Sequence, residues 1–145
     1  MKAALLDAGP IVAYLRGGDV YHRGVVAGIN DRLASGTALA TTWEAVSEAF
    51  TLVRSRVRSG ARNGHAFQVL DWAWESNVIV APSAHADHIR CRQILDVHRD
   101  VALSYADALL LAIGERMEVD EILTLDGTHF PAVRLASRTA VTVLR

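Results

Sequence analysis

The sequence predicts an α/β protein with three layers, a five-stranded, mostly parallel sheet flanked by helices. Three observations point there. Short apolar runs recur at 3–6, 38–40, 78–81, 121–125 and 141–144, too short for helices. Segments of helical length and spacing separate them. The runs are apolar throughout rather than alternating, as strands covered on both faces are.

Each element follows from local signals. Residues 3–6 form a strand ended by Asp7-Ala-Gly-Pro, and Pro10 suits the first turn of a helix that continues through Ile11, Val12, Tyr14 and Leu15. Gly17-Gly18-Asp19 breaks it. Val25, Val26, Ile29 and Leu33 then recur at helical spacing over 20–34, closed by Ser35-Gly36. After the strand at 38–40, a helix over 43–58 places Val46, Ala49, Phe50, Val53 and Val57 on one face, with Gly60 as its stop. A helix over 62–76 carries Phe67, Leu70 and Trp74. Residues 78–81 are a third, buried strand halted by Pro82, followed by a helix over 84–97. The apolar helix 105–117 precedes the last two strands.

Composition narrows the function. A chain of 145 residues and 15.7 kDa fits one domain, 1–145, with one core. Hydrophobic residues make up 51%, enough to fill that core. Net charge is −1, so no global basic field announces nucleic acid, although local patches decide contact. One cysteine, Cys91, excludes an internal disulfide and suits a reducing cytosol. No window approaches the roughly 18–20 apolar residues of a membrane span, and the N-terminus does not read as a signal peptide.

Four carboxylates stand at element ends. Asp7 and Asp126 close apolar runs, while Glu48 and Asp107 lie near the starts of helices. In parallel α/β sheets both kinds of position face the carboxyl edge, where ligands bind. Clustered like charges without cationic partners are costly unless a metal neutralises them. A divalent-cation site is the first expectation.

Each carboxylate also has a plain structural role to weigh. Asp7-Ala-Gly-Pro is a natural turn, and Asp126-Gly127 is a common turn pair. Thr41-Thr42-Trp43-Glu44 matches a capping box with Thr41 as the cap, which accounts for Glu44 and leaves Glu48 for the metal. Ser104-Tyr105-Ala106-Asp107 is another such box, yet an anion at a helix start can stabilise it and border a pocket at once.

Other patterns are weaker. His85, His88 and Cys91 share a helix at spacings that zinc could use, but no fourth ligand is evident. Arg54, Arg56, Arg58 and Arg62 form a basic run that reads equally as a solvated helix end or a phosphate-contacting strip. Trp43, Trp72 and Trp74 read as core or interface aromatics. Dinucleotide, Walker and nucleophile-elbow motifs are absent from the sequence. An aspartyl-phosphate enzyme would want Asp-x-Asp after the first strand, which Asp7-Ala-Gly does not provide.

Four strings in order, LLDAGPIVAYL, TTWEAVSEAFTLVRSR, LSYADALLLA and ILTLDGTHF, resemble the PIN-domain ribonucleases, in particular the VapC-type toxins of toxin–antitoxin pairs. The resemblance spans nearly the whole chain. It maps the family's acids to Asp7, Glu48, Asp107 and Asp126, with Ser104, His129 and Phe130 in matching strings. One departure is Gly127-Thr128, one residue more than the family often has between Asp and His-Phe.

The resemblance implies strand order 3-2-1-4-5 and a Mg²⁺- or Mn²⁺-dependent endoribonuclease. Asp7, Glu48, Asp107 and Asp126 would be catalytic and hold the ion, and Ser104 and Thr124 would orient ligands or water; in the phosphate-contacting reading of the basic run, Arg54, Arg56 and Arg58 would meet RNA. It also implies a homodimer and a small antitoxin over the site, with Tyr14, Leu15, Trp43 and Phe50 as candidates for its groove. Two alternatives stand beside it: a PIN-like RNase of RNA processing without an antitoxin, and a non-catalytic binding module.

Overall fold

The computed structural model describes residues 2–57 and 60–145. Five strands form one sheet: β1 (Ala3–Leu6), β2 (Ala38–Thr42), β3 (Ile79–Ala81), β4 (Glu121–Thr124) and β5 (Ala140–Val143). Their order is β3-β2-β1-β4-β5, and all four pairings are parallel. The six α-helices among the described residues are α1 (Ala8–Leu15), α2 (His22–Ala34), α3 (Trp43–Arg56), α4 (Arg62–Glu75), α5 (His85–Val97) and α6 (Tyr105–Met117). The expected α/β class and strand order are both found. None of these helices is long and apolar enough to cross a membrane.

The strand order sets the site. The chain runs outward from β1 through β2 to β3, then returns to β4 on the other flank of β1. The reversal at β1 and β4 opens a crevice beyond their carboxyl ends. Leu6 pairs with Leu123, and the Asp7 N–H donates to the Leu123 carbonyl at 3.0 Å, so the ladder runs up to the crevice. All four residues of β1 are buried, and successive side chains point to opposite faces, so both faces are covered there.

Helix α6 packs tightly over the central strands. Seven consecutive residues, Ala108 to Gly114, are buried. A Cβ added at Gly114 would lie 2.8 Å from Ile122 Cδ1 and 3.3 Å from Leu5 Cδ2. Gly114 therefore lets the helix approach β1 and β4. Gly114→Ala is expected to destabilise the protein by about 1–3 kcal/mol, the usual cost of overpacking, measurable by urea unfolding.

Several boundaries differ from expectation, each for a local reason. Strand β2 continues to Thr42, because Thr41 and Thr42 keep pairing with Val80 and Ala81. The cap of α3 is accordingly Thr42, whose hydroxyl accepts from the Ala45 N–H at 3.1 Å, and not Thr41. The Thr41 hydroxyl instead donates to the Leu6 carbonyl at 2.9 Å. Glu44 thus has no capping-box role. Strand β3 is not buried as expected; it is one of the sheet's two edges, and Ile79 is 40% exposed. Helix α3 ends at Arg56, ahead of Gly60.

Candidate metal centre

Asp7 is the N-cap of α1, in extended backbone directly after β1. Its Oδ1 accepts from the Ala8 N–H at 2.8 Å, and its Oδ2 accepts from the Thr124 hydroxyl at 2.9 Å. Thr124 is fully buried at the end of β4, and its Oγ1 also accepts from the Asp126 N–H at 3.0 Å. One hydroxyl thus ties the ends of two neighbouring strands and aims the Asp7 carboxylate.

Asp107 sits in the first turn of α6. Its Oδ2 accepts from the Ser104 N–H at 3.2 Å, and the Ser104 hydroxyl accepts from the Asp107 N–H at 3.1 Å. The expected capping box is formed, and it does not remove Asp107 from the crevice. Glu48 projects from the second turn of α3. One carboxylate oxygen from each of Asp7, Glu48 and Asp107 lies within 4.8 Å of the others. None of the three pairs with a Lys, Arg or His among the described residues.

Two of the three, Asp7 and Glu48, have their protonation shifted. Burial first, then the charge of Asp107, pushes the Asp7 carboxyl up to about 7, against the opposing Ala8 and Thr124 hydrogen bonds. Burial and the Asp107 charge also raise Glu48 above the usual carboxylate range. Three unpartnered carboxylates held this close are unfavourable by themselves. Their oxygen-only donor set suits a hard divalent cation such as Mg²⁺ or Mn²⁺.

Asp126 is placed differently. Its Oδ1 accepts from the N–H groups of Thr128 and His129 at 2.9 and 2.8 Å, and its Oδ2 pairs with His129 Nδ1 at 2.9 Å. Burial alone would raise its carboxyl, but these bonds outweigh it and hold the group below the usual range. Asp126 lines a hollow of about 460 Å³ together with Asp7 but does not join the group of three. The additional residue Thr128 has a use here, since its N–H helps close the turn.

The remaining candidates are dispersed. Arg54 lies with its guanidinium 5.8 Å from the centre of the Phe50 ring, and Arg56 faces Asp19 at 3.6 Å. Arg58 lies outside the described residues. His88 Nε2 bonds Ser83 Oγ at 3.1 Å while its Nδ1 meets the Tyr105 hydroxyl, and Cys91 is buried with its thiol towards the Tyr105 carbonyl. His85, His88 and Cys91 do not assemble as a metal group among the described residues. The Asp19–Arg56 pairing has no local sequence signal, because its partners come from separate elements.

The chain is 28% identical over 130 residues to Ribonuclease VapC26 of Mycobacterium tuberculosis, covering 90% of this chain and 91% of that protein. Among solved structures it superposes on Mycobacterium tuberculosis VapC20, described as a sarcin–ricin loop cleaving toxin, with a TM-score of 0.73 at 18% identity, covering 89% of this chain and 94% of that one. The chain has a VapC-type PIN-domain fold. The same VapC-type fold is found in VapBC2 of Rickettsia felis, solved bound to a promoter DNA fragment, with a TM-score of 0.70 at 10% identity over 99% of both chains. No family model matches the chain. The resemblance read from the four strings thus agrees with a VapC relative and with VapC-type structures.

Proposed function

We propose that the chain is a divalent-cation-dependent endoribonuclease and the toxin of a toxin–antitoxin pair. The observation that supports this most is the convergence of Asp7, Glu48 and Asp107, drawn from three elements, to within 4.8 Å without a cationic partner among the described residues. VapC26 is named a ribonuclease and VapC20 a toxin that cleaves RNA of the sarcin–ricin loop, and both share this chain's fold or sequence.

In this reading Asp7, Glu48 and Asp107 hold Mg²⁺ or Mn²⁺. The bound ion supplies Lewis acidity towards a phosphate oxygen and a water of lowered pKa. The chain supplies orientation. Thr124 and the Ala8 N–H fix both Asp7 oxygens, and Ser104 fixes the turn that presents Asp107. Asp126 holds the turn after β4 through Thr128 and His129 and faces the same crevice as Asp7. Its place in the site would be at the rim, bordering the ion and the substrate.

The antitoxin has a matching surface. A hollow of about 660 Å³ runs beside α3, lined by Trp43, Glu48, Leu52 and Ser104 among others. It adjoins an apolar recess formed by Trp43, Val46, Phe50 and Leu70. Trp43 packs on Trp74 with ring centres 4.8 Å apart, yet Trp74 remains 72% exposed. An amphipathic antitoxin segment laid there would cover these rings and reach the carboxylates. Structural neighbours that come from toxin–antitoxin systems support a cognate antitoxin, and the homodimer rests on the resemblance alone.

The test is cleavage of a mixed cellular RNA pool by purified protein in Mg²⁺ or Mn²⁺, against EDTA. Discrete cuts in metal and none in EDTA are expected. Cutting that persists in EDTA would overturn the metal-dependent reading, and no cutting in metal would favour a binding module.

A further inference from the structure

Two hollows each take in one of the three carboxylates, Glu48 in the first and Asp7 in the second. One, beside α3, is lined by Trp43, Glu48 and Ser104. The other lies towards the α1–α2 connection and is lined by Asp7, Asp19, Tyr21, Arg56 and Asp126 among others. A nucleic-acid strand crossing the carboxylates would enter both. Its phosphates need cations, and Arg56 is the single Lys or Arg among the described residues that line either hollow.

The manner in which Arg56 is held sets it apart. Arg90 and Arg116 approach their carboxylates to 2.8 and 2.6 Å and fasten helices in place. Arg56 meets Asp19 only at 3.6 Å and is half exposed. Asp19 is the fixed partner, since its Oδ1 accepts from the Tyr21 N–H at 2.9 Å and its side chain is 12% exposed. A loose, half-exposed pair of this kind contributes little, so a phosphate, which a guanidinium can grip with two bonds, competes with it readily.

We infer that Arg56 is a substrate-positioning residue that leaves Asp19 to bind an RNA phosphate flanking the cut, and that Asp19 acts as its competitor in the free protein. The inference rests on the endoribonuclease reading and assigns one member of the basic run to the substrate.

The experiment is steady-state cleavage of a fluorescent single-stranded RNA in Mn²⁺ over a salt series, for wild type, Arg56→Ala, Arg56→Lys, Asp19→Asn and Arg99→Ala as a surface control. Arg56→Ala is expected to raise KM about tenfold with little change in kcat, and to make the salt slope of log KM shallower by about 0.7, the value of one phosphate contact on a single strand. Arg56→Lys keeps the slope. Asp19→Asn, which retains the Oδ1 acceptor for Tyr21, lowers KM about two- to threefold, the effect of removing a weak surface pair. Equal KM and slope for Arg56→Ala and Arg99→Ala would overturn the inference, as would a raised KM in Asp19→Asn. Wild type that fails to cut in metal would sink the nuclease reading itself, a result visible before any variant is compared.

Discussion

Asp7→Asn is expected to lower RNA cleavage by about a thousandfold or more, since loss of several kcal/mol of charge stabilisation costs a decade per 1.36 kcal/mol. The same change is expected to leave the domain folded and, without metal at pH 8, to stabilise it. The sign follows from the environment. The folded chain raises the Asp7 carboxyl from 3.8 to about 7, so it prefers the neutral form. The cost of charging Asp7 is absent below the unfolded value and complete above the folded one, on the order of 4 kcal/mol for this interval. Asn removes that cost. It also turns a donor towards Thr124, which already accepts from the Asp126 N–H, so part of the gain is lost. A net rise of about 1–2 kcal/mol, or several degrees in Tm for a chain of this size, is expected at pH 8, with no gain at pH 4. Full cleavage by Asp7→Asn would remove Asp7 from the site. A Tm at pH 8 well below wild type would make it a structural cap instead.

Much of this centre was legible because its residues are tied to element ends. Asp7 follows a run that can only be a strand, and Asp107 follows a capping serine that the structure uses as read. Glu48 was legible partly by a wrong step. The sequence reads Glu44 as the partner of a Thr41 cap, whereas Thr42 caps the helix and Glu44 stands one place short of the capping-box position. Two adjacent threonines gave no means of placing the junction, because only β2's pairing with β3 decides where the strand stops. The apolar run at 78–81 likewise did not reveal that β3 is an edge, a property of strand order rather than of the strand. The direction of Asp126 was hidden for another reason. Its place after β4 was readable, but backbone donors two and three residues later turn its carboxylate towards its own loop. The Asp19–Arg56 contact is wholly tertiary, joining a loop read as a break to a helix end.

Divalent cation is expected to raise the thermal stability of the protein, and to do so far more at pH 8 than at pH 5. The centre binds the ion through deprotonated oxygens, so the ion and the Asp7 proton compete. With Asp7 titrating at about 7, the site is mostly open to metal at pH 8. Each pH unit well below that value reduces apparent affinity about tenfold, and the raised Glu48 steepens the fall. At a Mn²⁺ concentration about 100 times the pH 8 dissociation constant, linkage gives about 2.7 kcal/mol of stabilisation, falling to about 1.4 at pH 6 and under about 0.5 at pH 5. The metal-free protein runs the other way, losing stability as pH rises from about 4 to 7 while Asp7 charges beside Asp107 and Glu48. The two curves therefore diverge with rising pH. Tm measured in EDTA and in Mn²⁺ from pH 5 to 8 separates a metal centre from a bare acidic cluster. Parallel curves would mean that these carboxylates do not hold the ion. In Asp7→Asn the divergence should shrink to what Glu48 and Asp107 sustain together, and a divergence of undiminished size would place the ion elsewhere on the chain.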